Sequence, residues 1–229
     1  MDILFVGCSH TAGHELKDRF STRYSKLICD ALGANEYNIA EGGRSNDWIA
    51  RRTVKETRKK LYKRVYVQLT MPSRIEYYTE DGQALKFKIN PSFNHFVRND
   101  ALHIKSAVEW YYANFYTMRH GIENLYKNKY IIESALRHAV TFTELIFIYY
   151  DKREQKGSPS WGRGLKIRGE DFNDLYHAKS HWNQFCEKRH HGVFKDILGP
   201  DGKNPNLFGK GGHLLEEGHR KIADYLLSI

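Results

Sequence analysis

Four short apolar runs set the fold class of this chain: residues 2–7 (DILFVG), 36–40 (EYNIA), 64–70 (RVYVQLT) and 143–150 (TELIFIYY). Each is too short for a buried helix and is rich in β-branched or aromatic residues, so each reads as a strand. Helical patterns separate them. Residues 22–32 place Tyr24, Leu27, Ile28, Ala31 and Leu32 at helical spacing, with Ser21 as cap and Gly33 as stop; Ser45 can cap a helix running to about Leu61. Strands alternating with helices imply a parallel sheet covered on both faces. Residues 75–104 carry no clean period and read as an insertion after the third strand, with a hairpin around Asp81-Gly82. Residues 105–120, 122–141 and 171–189 are helical in pattern, and the aromatics Trp110, Tyr111, Phe115 and Tyr116 are expected in the core. Segments 152–170 and 199–212 have loop composition. A last helix covers about 214–228, with Leu215, Ile222, Ala223, Leu226 and Leu227 inward. The whole is expected to be one domain over residues 1–229, with 75–141 holding the insertion and its helices.

Charge narrows the function classes. The formal net charge is +9, and much of the excess lies in residues 51–64 (RRTVKETRKKLYKR). Such a run can contact nucleic acid or an acidic partner, although a solvated helix face is the plainer reading. No segment approaches the roughly 20 apolar residues of a membrane span, and the start of the chain lacks the pattern of a secretory signal. Three cysteines, Cys8, Cys29 and Cys186, form no paired framework, so a cytoplasmic location is expected.

In an open parallel sheet, ligands bind beyond the carboxyl ends of the strands. That rule brings together the loops Gly7–Gly13, Glu41–Asp47 and Thr70–Arg74, with the loop from Asp151 as a further candidate. Ser9 follows the first strand and can present its hydroxyl to a cleft. His213 sits in a glycine-rich loop just before the last helix, where an imidazole can turn toward a serine and accept its proton.

These residues fall into blocks. Gly7-Cys8-Ser9-His10-Thr11 resembles the Gly-Asp-Ser-x-Thr block of the SGNH (GDSL-type) lipases and esterases, with Cys8 in place of Asp. Asn38-Ile39-Ala40-Glu41-Gly42-Gly43 resembles the second block, and His213 with Gly218-His219 resembles the last. The set is most similar to SGNH-like proteins encoded by tailed bacteriophages, whose setting would be the host cytoplasm. The resemblance implies a three-layer α/β/α, flavodoxin-like fold. It also implies a nucleophile at Ser9, a base at His213, and oxyanion donors at Ser9 and Gly43, helped by a polar group near Thr70. Two positions depart from the family. The third block's Asn is absent from Gln68-Leu69-Thr70-Met71-Pro72-Ser73-Arg74, so a donor would come from Gln68, Thr70, Ser73 or Arg74. Lys210 stands where the family has the acid three residues before the histidine. The site is then a Ser–His dyad, or the acid comes from Asp151, Asp171, Asp174 or Asp201, or a backbone carbonyl holds the imidazole.

The activity implied is hydrolysis of an O-acyl ester of a small molecule or glycan, without cofactor. An acyltransferase using the same serine and a non-catalytic binding protein on the same scaffold are the alternatives. His10, Arg44, Asn46, Gln68, Ser73 and Arg74 are candidate substrate contacts, Arg44 being equally able to pair with Glu41 or Asp47. Cys8 ranks behind Ser9 as a nucleophile. Asp174, His177 and His181 could share a helix face, but they lack the glutamate of a zinc-protease motif, and no metal is expected. His190-His191 reads as a solvated pair in a basic stretch.

Overall fold

The computed structural model describes residues 1–70, 74–78, 84–87, 110–111, 114–116, 118–137, 144–149, 188–193, 198 and 206–228. Its centre is a five-stranded parallel sheet formed by β1 (Asp2–Val6), β2 (Asn35–Asn38), β3 (Arg64–Leu69), β6 (Glu144–Tyr149) and β7 (Lys188–Val193), in the spatial order β2-β1-β3-β6-β7. Counting parallel strands alone, that is the flavodoxin-like order 2-1-3-4-5. Between them lie α1 (Ser9–Ala12), α2 (Arg19–Thr22), α3 (Tyr24–Ala31), α4 (Asn46–Thr57), the antiparallel pair β4 (Ile75–Tyr78) and β5 (Ala84–Phe87), and α5 (Met118–Arg137); α6 (Glu216–Ser228) closes the chain.

Side chains alternate across a strand, so β1 and β3 feed two cores. Ile3, Phe5 and Tyr66 point to one face and pack with Tyr24, Ile28, Leu207, Leu214, Ile222 and Leu226 from α3, α6 and the chain before it. Leu4, Val6, Val65, Val67 and Leu69 point to the other and pack with Trp48, Ile49, Leu125, Ile132 and Leu136 from α4 and α5. The result is the three-layer α/β/α sandwich that the alternating pattern implies. Asp47 fastens α4 to α5 by accepting hydrogen bonds from Asn124 and Asn128, each at 3.1 Å.

Several sequence expectations are corrected. A fifth parallel strand, β7, runs over Lys188–Val193, where the helix expected over 171–189 would end. It lies at the end of the strand order, where charge is tolerated and blunts the sheet edge. Helix α4 stops at Thr57, short of Leu61, and one helix, α5, runs through Gly121 where two are expected. Trp110 and Phe115 are exposed, as is Leu227. The strand pair β4–β5 matches the expected hairpin, whose Asp81-Gly82 turn lies outside the described residues. Segment 152–170 and most of the helix expected over 171–189 also lie outside them. In the basic run, Arg51, Lys59 and Lys60 pair with Glu76, Glu56 and Asp2. Among the described residues, no helix is long and apolar enough to cross a membrane.

Ser21 does not cap α3; it lies in α2, and the cap arrives from the far end of the chain. The Tyr24 amide opening α3 donates to Nδ1 of His219, on α6, at 3.1 Å, and the two rings stack at 5.7 Å. His219 is fully buried, and burial, with Arg23 adding to it, lowers its pKa from 6.5 to about 3. The neutral imidazole is therefore the form the fold accepts. As pH falls below about 6.5 the unfolded chain takes up this proton and the folded chain does not, so stability is complete above that pH and erodes toward pH 3, by at most about 1.4 kcal/mol per pH unit. Urea unfolding between pH 7 and 4 should show a shallower loss for His219→Gln, which keeps an acceptor and cannot titrate, than for the wild-type chain.

Candidate active site

Strand order reverses between β1 and β3, and the crevice at such a switch point is where open α/β sheets bind ligands. The loops after these strands hold most of the candidate residues. After β1 the chain enters the single turn α1, with Cys8 at its start and Gly13 ending it at φ 75°. Ser9 occupies the first position of that turn and is 5% exposed. A first-turn amide has no partner within its own helix, which leaves the Ser9 N–H available at this position among the described residues. The second loop turns through Gly43 at φ 75°, a left-handed conformation that glycine adopts without strain. Its neighbour Gly42 lies against the His14 imidazole so closely that a Cβ there would overlap the ring.

Glu15 brings the distant histidine into place. It adopts φ 69°, the sole positive φ of a non-glycine residue among those described. Such a conformation costs roughly 1–3 kcal/mol and persists where surrounding contacts enforce it. Here the carboxylate accepts from the Gly211 amide at 2.7 Å and the His213 amide at 2.9 Å, and contacts His213 Nδ1 at 3.1 Å. Burial pushes this carboxyl up, but the His213 and Gly211 amides and the His213 ring outweigh it and leave the pKa below 4.5. The ionised Glu15 thus binds the 211–213 turn across 198 residues of sequence. His213 packs its ring 5.4 Å from that of His10, the residue after Ser9, and 5.6 Å from that of His14. The latter ring is held below its ordinary pKa of 6.5 by burial, then by the His213 and Arg19 charges.

Other candidates belong to the frame. Gln68, fully buried, accepts through Oε1 from the Thr11 hydroxyl at 2.7 Å and the Thr11 amide at 3.2 Å, and its Nε2 donates to Cys8 Sγ at 3.1 Å. Thr11 continues the chain of contacts to the Tyr24 hydroxyl at 2.7 Å. Asn46 brackets the Thr70 backbone, accepting from its amide at 2.8 Å and donating to its carbonyl at 3.0 Å. Asn38 donates to the Thr11 carbonyl and the Ser25 hydroxyl, each at 2.8 Å. Arg44 pairs with Glu41 and Glu76 and lies 4.8 Å above the Trp48 ring. The amides of Gln68 and Asn46 and the guanidinium of Arg44 are therefore engaged by the protein itself. Thr70 differs: its hydroxyl is buried, the residue is 3% exposed, and beyond the neighbouring Cys8 sulfur it meets no partner among the described residues. Cys8 is fully buried; burial raises its thiol pKa, and the Arg74 charge, the His10 amide, and the Gln68 and Thr70 side chains together bring it below 9.0.

Ser73 and the acids Asp151, Asp171, Asp174 and Asp201 lie outside the described residues, as do His177 and His181. Among the described residues no group of side chains could hold a metal ion. The carboxylate seen on His213, that of Glu15, is one that the sequence reading passed over. Glu15 sits in a polar loop with no motif around it, and its left-handed backbone is invisible in sequence.

With this geometry in view, solved structures supply the comparison. The fold is that of the GDSL-type lipolytic proteins. The chain is similar to TesA, at 13% identity and a TM-score of 0.59 over 100% of this chain and 97% of that one. A lipolytic protein of the G-D-S-L family from Veillonella parvula matches at 14% identity, with the same TM-score and coverage. The esterase EstA from Pseudoalteromonas sp., inhibited by monoethylphosphonate in its structure, matches at 12% identity and a TM-score of 0.54 over 99% of this chain and 94% of that one. No protein-family model matches the sequence, and no curated protein matches it.

The glycines of the 209–213 turn make room for the Glu15 carboxylate. A Cβ at Gly211 would lie 2.8 Å from Oε1, and one at Gly209 3.0 Å from Oε2. Gly211→Ala should therefore cost about 1–2 kcal/mol by crowding the carboxylate, lowering Tm by roughly 2–8 °C. Lys210→Ala, at an exposed position between them, should leave Tm within about 2 °C. Thermal unfolding of both variants checks this.

Proposed function

We propose that this chain is a serine esterase that hydrolyses an O-acyl ester through Ser9, His213 and Glu15. The observation that carries the reading is the Glu15 carboxylate on His213 Nδ1, which supports an acid–base pair even though the position three residues before the histidine is a lysine. In this mechanism His213 takes the Ser9 hydroxyl proton through Nε2 as Oγ attacks the acyl carbon. The Ser9 and Gly43 amides and the Thr70 hydroxyl receive the charge that develops on the carbonyl oxygen. The imidazolium then gives its proton to the leaving alcohol, and water, activated by the same nitrogen, releases the acyl group. Glu15 acts as a positioning residue: it fixes the ring tautomer and stabilises the imidazolium. An alcohol in place of water would make the same serine an acyltransferase. The phage-type blocks and sparse cysteines carry the further proposal that the enzyme works in a cytoplasm, that of a host if the chain is viral.

Three variants test the assignment with 4-nitrophenyl acetate and a fluorescent phosphonate. Ser9→Ala should lose both turnover and covalent labelling. Cys8→Ser should still be labelled at Ser9, since the thiol is buried and takes no part in the chemistry; labelling lost in Cys8→Ser and kept in Ser9→Ala would transfer the nucleophile to the cysteine. Glu15→Gln should lower kcat by roughly 10²–10⁴ with a smaller effect on KM, because an amide cannot stabilise the imidazolium.

A further inference from the structure

Resting on the serine esterase reading, we propose that the substrate carries a negative charge, as a carboxylate or phosphate group, and that Arg74 is the residue that recognises it. Arg74 lies five residues beyond the end of β3 and is 9% exposed. The acids around it are already engaged. Glu76, whose side chain is fully buried, pairs with Arg44 and Arg51, and Glu41 pairs with Arg44. Arg74 itself forms no ion pair among the described residues. Its Nε is buried without a hydrogen-bond partner, and Nη1 reaches the Arg44 carbonyl only at 3.5 Å, the limit of a hydrogen bond.

A cation buried this deeply without a carboxylate is costly to the folded chain, and the cost falls when an anion fills the place left open. The guanidinium presents donors in a planar fork that matches carboxylate and phosphate oxygens. Its position gives that preference a use. The Arg44 carbonyl belongs to the turn that carries Gly43, and the Arg74 charge also acts on Cys8, the residue before Ser9. The fork therefore stands between the two loops that hold the nucleophile and the oxyanion amides, where a non-reacting part of a bound ester would lie. The net charge of +9 draws anions toward the molecule as a whole.

The test compares two esters of equal length, neutral 4-nitrophenyl butyrate and anionic mono-4-nitrophenyl succinate, on the wild type, Arg74→Met and Arg74→Lys, with thermal unfolding to confirm that each variant folds. The wild type should favour the succinate ester in kcat/KM, and the ratio of anionic to neutral kcat/KM should fall at least tenfold in Arg74→Met and less in Arg74→Lys. A ratio unchanged by Arg74→Met would overturn the proposal. A separate arm uses Ser9→Ala protein and calorimetric titration with monomethyl succinate and with inorganic phosphate. Binding of either that disappears in Ser9→Ala/Arg74→Met supports the anion site and distinguishes the two sources of charge; no binding of either, alongside an unchanged ratio, removes it. If the wild type hydrolyses neither ester while this binding persists, the esterase reading fails and the anion site stands.

Discussion

A single carboxylate holds the two ends of this molecule in register. Glu15 receives two backbone amides and a ring nitrogen from the 211–213 turn, and charge-assisted hydrogen bonds of this kind are about twice as strong as neutral ones. Everything proposed for the site depends on that meeting, because it holds the His213 ring by one of its two nitrogens. The strained backbone at Glu15 and the glycines facing it are two sides of one arrangement: the chain accepts an unfavourable φ so that the carboxylate reaches a turn stripped of side chains.

Beneath the site runs a second line of contacts, from Gln68 to Thr11, on to Tyr24, and from Tyr24 to His219. It ties β3, α1, α3 and α6 together with groups that are all buried. Each of these pairings favours one geometry, since a shift would break it, although His219 Nε2 meets no hydrogen-bond partner among the described residues. The residues that surround Ser9 thus divide by what they touch. Gln68, Asn46 and Asn38 bond to the frame, while the Thr70 hydroxyl and the Arg74 guanidinium retain capacity for something outside it.

The sheet was legible in the sequence wherever burial on both faces demands apolar strands. β1 and β3 stand out for that reason, whereas β7, at the end of the strand order, carries Lys, Arg and His. Element ends were less legible. Ser45 caps α4 from next door and is readable; His219 serves α3 from 195 residues away and is not. The loops that hold Ser9, Gly43, Thr70 and Arg74 follow the ends of β1, β2 and β3, as strand order implies. Glu15 could not be found in this way, since its role arises from backbone conformation and a tertiary contact. The same limit applies to Gln68 and Asn46, which lie at the right edge of the sheet but turn inward.

With the carboxylate carried a few residues after the serine, the terminal turn contributes an imidazole and bare peptide amides to the contact. The position three residues before His213 is a lysine. Pattern recognition that insists on an acid before the terminal histidine will overlook chains wired in this manner, however well their folds agree.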